Sequence, residues 1–363
     1  HEFGNAASQH PFGRRAFEAI EEARADVATL IGADPQEIVF TSGATESINL
    51  ALKGVLSSAP PNRRHLITAG TEHKAVLDTT AALEASGART TVLPVDIRGT
   101  VSVEDLEEAF SADSLLVSIM AANNETGTIG PVKEAAALAH SRGVLFHSDA
   151  TQLVGKLPVN VDDLGVDFFS FSSHKIYGPK GIGALYVRRG WRSALTPLIH
   201  GGGHERGLRS GTLNVPGCVG FGRACRIAAT GLTQEAESLR SMRDAVEGGL
   251  LSLVGGSSVN GHPGSRLPNI SNIHFGGVDA DSLMLAMPDI AVSSGSACTA
   301  ATPAPSHVLR AMGIGYDAAG ESIRFSVGRF TTKDEIDYAV KRVSEVVELL
   351  RRDAFATAPG VVA

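Results

Sequence analysis

Several short segments combine small residues with side chains suited to anion, amine or thiol chemistry, and most follow an apolar run. Thr41-Ser42-Gly43-Ala44-Thr45-Glu46 follows Glu37–Phe40 and opens a helical stretch. A small, Gly-containing turn at a helix start offers free N–H groups and the positive end of the helix dipole, a seat for phosphate. An N-cap box with Glu46 in the first turn explains the same residues. The segment is neither a Walker loop nor a dinucleotide fingerprint. His147-Ser148-Asp149-Ala150-Thr151-Gln152 follows Val144–Phe146. A carboxylate at the end of a buried strand needs a positive partner, such as a protonated pyridine nitrogen, although a turn-capping Asp fits equally well.

Ser172-Ser173-His174-Lys175 and Tyr177-Gly178-Pro179-Lys180-Gly181 follow Val166–Phe171. A Lys emerging from an apolar strand is desolvated, which lowers its pKa and makes a Schiff-base nucleophile; the plainer reading is a Lys reaching to the surface. Cys298 lies in the small, polar run Ser293 to Pro303, whereas Cys218 and Cys225 sit seven apart in a helical pattern and read as packed thiols. No charged residue lies in the Cys298 run, so thiolate activation must come from elsewhere. His73 follows the run Leu66–Ala69, and Arg324 sits in the apolar pattern of Ile323–Phe325, suited to a carboxylate or to an internal salt bridge.

The elements that must position these groups alternate. Apolar runs at Glu37–Phe40, Leu66–Ala69, Thr91–Val95, Leu115–Ala121, Val144–Phe146, Val166–Phe171 and Ile182–Val187 are separated by helical patterns such as Glu46–Leu56, Val103–Phe110 and Val132–Arg142. Continuous apolar strands between helices predict a mainly parallel α/β sheet covered on both faces, with ligands at the carboxyl ends of the strands. After about Thr230 the pattern changes. A polar helix Thr233–Leu250 leading to Leu267–Phe275, a helix at Asp281–Met287, strands at Ile290–Ser293 and Ser322–Val327 and a last amphipathic helix from Lys333 to Leu350 predict a smaller α+β domain. The expected domains are residues 1–231 and 232–363.

The chain has 363 residues, 32 Lys plus Arg against 39 Asp plus Glu, and a net charge of −7. That balance gives no support for direct nucleic-acid binding. No apolar run reaches membrane-spanning length. Glycine, at 40 residues, clusters at segment ends, which predicts many tight turns. Three cysteines without metal-ligand spacing, and no signal peptide, predict a cytoplasmic protein with no metal site. The chain begins His1-Glu2-Phe3 rather than with Met, and further N-terminal sequence is expected.

Taken together, the segments resemble cysteine desulfurases of the IscS/NifS type, group I, within the class V aminotransferases of the fold-type I pyridoxal phosphate enzymes. The matching motifs are Thr41 to Ser47, Thr71 to Val76, Asn123-Asn124-Glu125, Asp149 to Gln152, Ser172 to Gly181, Gly201 to Thr212, Ser293 to Thr299 and Ser322 to Phe330. The likeness runs from about Phe3 to the last helix. It implies a large domain with a mainly parallel seven-stranded sheet, a smaller α+β C-terminal domain carrying the catalytic cysteine, and a homodimer.

By the same resemblance, Lys175 is the Schiff-base lysine of pyridoxal 5'-phosphate, Asp149 holds the ring nitrogen protonated, His73 stacks on the ring and Gln152 bonds its phenolic oxygen. Ala44, Thr45, Ser172 and His174 hold the phosphate, with Thr212 reaching across the dimer interface. Asn124 and Arg324 bind the substrate carboxylate, and Cys298 takes the sulfur. The implied reaction converts L-cysteine to L-alanine and a persulfide, passed to an acceptor protein serving iron–sulfur cluster assembly, tRNA thiolation or DNA phosphorothioation. A selenocysteine lyase or aminotransferase is the alternative within the fold, and a non-catalytic sulfur-relay or scaffold protein the alternative outside it. A mobile thiol argues against an aminotransferase, and Lys175 with Asp149 argues against a relay. Ser173 stands where the family pattern has Gly, the family's first strand is absent, and the C-terminal tail is shorter than in IscS.

Overall fold

The computed structural model describes residues 4–295 and 305–357. They form two compact units: residues up to Pro94 with Val101–Ala122 and Gly130–Thr233, and Val95–Thr100 with Asn123–Ile129 and the residues from Gln234 onward.

The first unit is built on a seven-stranded sheet of β1 (Ile38–Thr41), β2 (His65–Ala69), β3 (Arg89–Leu93), β4 (Ser114–Ser118), β5 (Leu145–Asp149), β6 (Phe168–Ser172) and β7 (Gly183–Val187). Their order across the sheet is β1-β7-β6-β5-β4-β2-β3. β2 to β6 pair in parallel, and β7 alone runs antiparallel to both its neighbours, β6 and β1. All seven predicted strands are present, with ends shifted by up to three residues. The predicted Thr91–Val95 strand ends at Leu93, because Pro94 has no N–H to continue a ladder. β4, β6 and β7 are buried along their whole length, as strands covered on both faces must be.

Helices α1 (Pro11–Ile31), α2 (Ala44–Ser58), α3 (Lys74–Ala85), α4 (Val103–Ala109), α5 (Val132–Ser141) and the single turn α6 (Val161–Leu164) surround this sheet. α2 turns Ile48, Leu52, Val55 and Leu56 onto β6 and β7, at the spacing of one helical face. α7 (Val215–Leu253) is longer than the predicted Thr233–Leu250 and is interrupted at Gly231, where φ is −132°. Its first part buries Phe221 edge-on to Phe40 and Phe171, with Cys218 and Cys225 beside it as free thiols. Burial, with Glu205 adding to it, pushes the Cys218 thiol up to about 12, and burial also raises Cys225, so both pack as apolar groups.

β1 is an edge strand, and its free backbone groups are covered by a buried ion pair. Arg24 donates two 2.7 Å bonds to Glu205, and both side chains are almost wholly buried. Arg24 also donates to the Ile38 carbonyl at 2.9 Å, while Glu205 accepts the Phe40 N–H at 2.7 Å. Burial alone would lower the guanidinium pKa, but Glu205 outweighs it and keeps Arg24 charged. Glu205 and Arg206 adopt positive φ, 48° and 57°, to reach this arrangement.

The second unit carries a three-stranded antiparallel sheet, β8 (Ser257–Asn260), β9 (Ile270–Phe275) and β10 (Ser322–Ser326), in the order β10-β9-β8. Around it lie α8 (Ala280–Ala286), α9 (His307–Ala311), α10 (Tyr316–Gly320) and α11 (Lys333–Thr357). Ile336, Val343, Val346 and Val347 of α11 close over Ile273, Phe275, Ile323 and Phe325. The predicted strand Ile290–Ser293 is absent; only Ser293 bridges to Arg324. Its one β-branched pair, Ile290 and Val292, is too little to extend a ladder beside the Pro288-Asp289 turn.

Glu205→Ala leaves Arg24 buried without its main counter-charge, and the expected loss is roughly 3–5 kcal/mol in denaturant unfolding. A loss under about 1 kcal/mol would mean that the pair does not hold the β1 edge.

Candidate active site

The first-unit site residues lie just beyond the carboxyl ends of parallel strands. The first turn follows β1. Gly43, with φ 152°, lets the chain enter α2 directly from the strand. Its backbone lies against β7: a Cβ on Gly183 would stand 2.6 Å from the Gly43 Cα and 2.7 Å from the Phe171 oxygen. The Ala44 N–H donates to Ser172 Oγ at 2.8 Å, tying the end of β1 to the end of β6. The next two amides, Thr45 and Glu46, have no protein acceptor among the described residues. They line an open cleft of about 270 Å³ with Ser172, His174 and Lys180. Burial of the imidazole, then Lys175 and Lys180, lowers the His174 pKa and leaves it neutral at pH 7.

The expected N-cap box does not form: Gly43 is the N-cap of α2, and no Thr or Ser side chain caps the helix. Glu46 Oε2 instead accepts the Ser42 N–H at 2.8 Å, and Glu46 also receives Arg209 at 2.8 Å. Burial would raise the Glu46 pKa, but the bonds from Arg209 and Ser42 outweigh it and hold the carboxyl below its usual value. The Arg209 link joins the motif from Gly201 to Thr212 to the phosphate-type turn. Pairing between two motifs so far apart leaves no local signal in the sequence. Thr212 itself is exposed on the loop before α7.

Asp149 ends β5 and is buried. One oxygen accepts the Thr151 N–H at 3.0 Å and its hydroxyl at 2.5 Å; the other makes no hydrogen bond among the described residues. The turn-capping role and an available carboxylate oxygen therefore coexist. Gln152 is half-buried in the same turn. Two residues back on β5, His147 is fully buried between Ser118 Oγ at 2.8 Å and Ser170 Oγ at 2.9 Å, and burial pushes its pKa down to about 3. It is a neutral cross-strand link. Glu72, before His73, is fully buried and accepts the Met120 N–H at 2.6 Å. Burial raises its pKa well above the carboxylate range, Met120 opposing and the neighbouring Asp149 charge reinforcing, so Glu72 is held protonated. His73 caps α3, its Nδ1 accepting the Ala75 N–H at 3.0 Å, which puts the proton of the neutral ring on Nε2.

Lys175 sits in a 3-10 turn, Ser173–Ile176, directly after β6, and is exposed. Tyr177 ends that turn in the left-handed region, φ 67°. Ser173 is fully buried, and its hydroxyl fills the space that a Cβ on Gly178 would need.

In the second unit, Asn124 is buried and its carbonyl accepts Arg324 Nη1 at 2.7 Å. Asn123 Oδ1 accepts the N–H groups of Glu125 and Thr126, fixing the turn. The two residues expected to hold a substrate carboxylate are thus brought together. Cys298 lies outside the described residues. Among the described residues there is no cluster of three or more metal-ligating side chains and no helix long and apolar enough to cross a membrane.

A helix N-terminus with unaccepted amides, a hydroxyl and a neutral His fits a phosphate, and a buried carboxylate with an open oxygen fits a pyridinium nitrogen. These features, on one mainly parallel sheet with a lysine just past β6, define a pyridoxal-phosphate type of site. The aminotransferase class-V family model matches residues 1–339, and the chain belongs to that family of pyridoxal 5'-phosphate-dependent enzymes. It is 52% identical to a cysteine desulfurase IscS of Anaeromyxobacter sp. (strain Fw109-5) over 351 residues, 96% of this chain and 87% of the relative. Among solved structures it resembles a NifS-like protein, with TM-score 0.90, 41% identity and coverage of 96% and 93% of the two chains. It also resembles DndA from Streptomyces lividans, with TM-score 0.77, 40% identity and coverage of 90% and 92%.

Gly183→Ala forces the Gly43 turn away from β7, and the affinity for pyridoxal 5'-phosphate is expected to fall at least about tenfold in an absorbance titration. Glu46 has a depressed folded pKa, so its stabilisation is present above the ordinary Glu value and is lost as pH falls through the folded value. Urea unfolding against pH should therefore show a shallower acid limb for Glu46→Gln than for the wild type.

Proposed function

We propose that this protein is an L-cysteine desulfurase that removes sulfur from L-cysteine, releases L-alanine and passes the sulfur onward from Cys298. The observation that carries the reading is the alignment of the α2 amides, Asp149 and Lys175 at the ends of β1, β5 and β6, in a chain about half identical to cysteine desulfurases.

When bound, pyridoxal 5'-phosphate supplies an electron sink that weakens bonds around the substrate's Cα. Thr45 and Glu46 N–H, Ser172 and His174 would hold its phosphate; the expected Ala44 N–H is instead taken by Ser172 Oγ, and Thr212 would come from a second copy of the chain in a homodimer. Asp149, buried at the end of β5, would hold a proton on the ring nitrogen. His73 would pack on the ring, and Gln152 would donate to the phenolic oxygen. Lys175, which is exposed rather than desolvated by the strand before it, would carry protons to and from the substrate Cα. Arg324 and Asn124 take the substrate carboxylate, a role suited to a guanidinium fork.

The Cys298 thiolate forms an S–S bond to the substrate sulfur as the C–S bond breaks. The C–S electron pair stays on carbon and takes a proton, so Cys298 thiol plus L-cysteine gives Cys298 persulfide plus L-alanine. The persulfide then serves an acceptor protein of a sulfur-handling system. The likeness to both IscS and DndA supports a protein acceptor without selecting one system. Two buried free thiols support a reducing, cytoplasmic setting.

Two variants test the reading. Lys175→Ala should abolish the visible absorbance of the loaded enzyme; an unchanged spectrum would remove the cofactor assignment. Cys298→Ser should keep that spectrum and stop sulfide release from L-cysteine in the presence of dithiothreitol. Sustained release would show that another group takes the sulfur.

A further inference from the structure

The geometry points to Lys156 as a positioning residue that, through the ring of Tyr177, locks the turn carrying Lys175 onto the loop carrying Asp149 and Gln152. The inference rests on the assignment of Lys175 as the cofactor's amine.

Lys156 is 93% buried, unusual for a lysine, and its Nζ stands 4.7 Å from the centroid of the Tyr177 ring. A desolvated ammonium over an aromatic face is attracted by the ring quadrupole more strongly than one in water. Tyr177 is the residue that ends the Lys175 turn, and it does so with φ 67°, a conformation costly for a bulky side chain. A contact that fixes its ring therefore also fixes a backbone that would otherwise relax. The neighbouring residues repeat the contact one position earlier. A Cβ on Gly155 would lie 2.5 Å from Ile176 Cγ2, so the backbone at Gly155 presses on the residue next to Lys175. Lys156 is itself held close to the Asp149 turn: its N–H donates to the Leu153 carbonyl, and Leu153 N–H donates to Ala150. Two successive contacts, Gly155 on Ile176 and Lys156 on Tyr177, thus set the spacing between the carboxylate and the amine.

The test is the rate at which the holoenzyme releases pyridoxal 5'-phosphate after extended dilution, read as protein-bound absorbance, beside the melting temperature of each cofactor-free variant. Lys156→Met keeps the length and apolar stem but removes the charge; it should speed release about tenfold while leaving the cofactor-free melting temperature unchanged. Tyr177→Leu should do the same. Lys156→Arg and Tyr177→Phe keep cation and ring, and should stay within about twofold of the wild type. The double variant Lys156→Met/Tyr177→Leu should release no faster than either single variant, because both remove one interaction. Release by Lys156→Met at the wild-type rate overturns the inference. So do additive effects in the double variant, or failure of Lys156→Arg to restore retention. If Lys156→Met does not fold, Tyr177→Leu against Tyr177→Phe decides by the same criterion. Loss of the parent reading is separately visible, since it requires Lys175→Ala to keep its absorbance.

Discussion

The free edge of β1 is the constraint on which much of the first unit depends. An exposed edge strand invites pairing with other chains. Here Arg24 and Glu205 occupy the outward carbonyl of Ile38 and N–H of Phe40 while satisfying one another. β1 is therefore held from both sides, by β7 within the sheet and by the ion pair outside it. The strand ends in Thr41, and two residues later Gly43 starts the turn whose amides face the phosphate-type cleft. Rigidity at the edge becomes rigidity at the cleft. The same loop that delivers Glu205 delivers Arg209 to Glu46, so one segment braces both the start and the finish of this path.

Charge is distributed to keep the site's groups distinct. Asp149 stands near two buried titratable side chains that are both neutral, His147 because burial forbids its cation and Glu72 because burial and Asp149 together forbid its anion. His174, kept neutral by burial and two lysines, can donate to an anion without adding a third cation to that rim.

Much of this was legible in the sequence because the chemistry sits where the apolar runs end. The seven strands were read from their continuous hydrophobicity, and Asp149, Lys175 and the Gly43 turn from their place after β5, β6 and β1. What could not be read were pairings between distant segments. Arg24 looks like any polar residue on an amphipathic helix, and nothing local marks Glu205 as its partner. Gly183 lies inside the run Ile182–Val187 with nothing local to set it apart, yet its missing Cβ is what lets Gly43 approach. Lys156 reads as a surface lysine, because burial of a long cationic side chain is decided by a ring more than twenty positions away. The expected Ile290–Ser293 strand failed for the opposite reason: a short apolar run satisfied the pattern without enough β-forming residues to pair.

The second unit is not contiguous in the chain, and that bears on how the protein can be taken apart. Val95 packs with Val308, Leu309 and Met312, while Gly127 and Ile129 bond to Leu267 and Ser265 through their backbones. Thr128 also accepts the His262 N–H. A fragment beginning at Gln234 would lack all of these partners, and it would lack Asn124, the acceptor for Arg324. Exchanging this unit between relatives as one C-terminal cassette would therefore mismatch three separate surfaces, whereas moving residues 95–100 and 123–129 along with it would carry the carboxylate-binding pair intact.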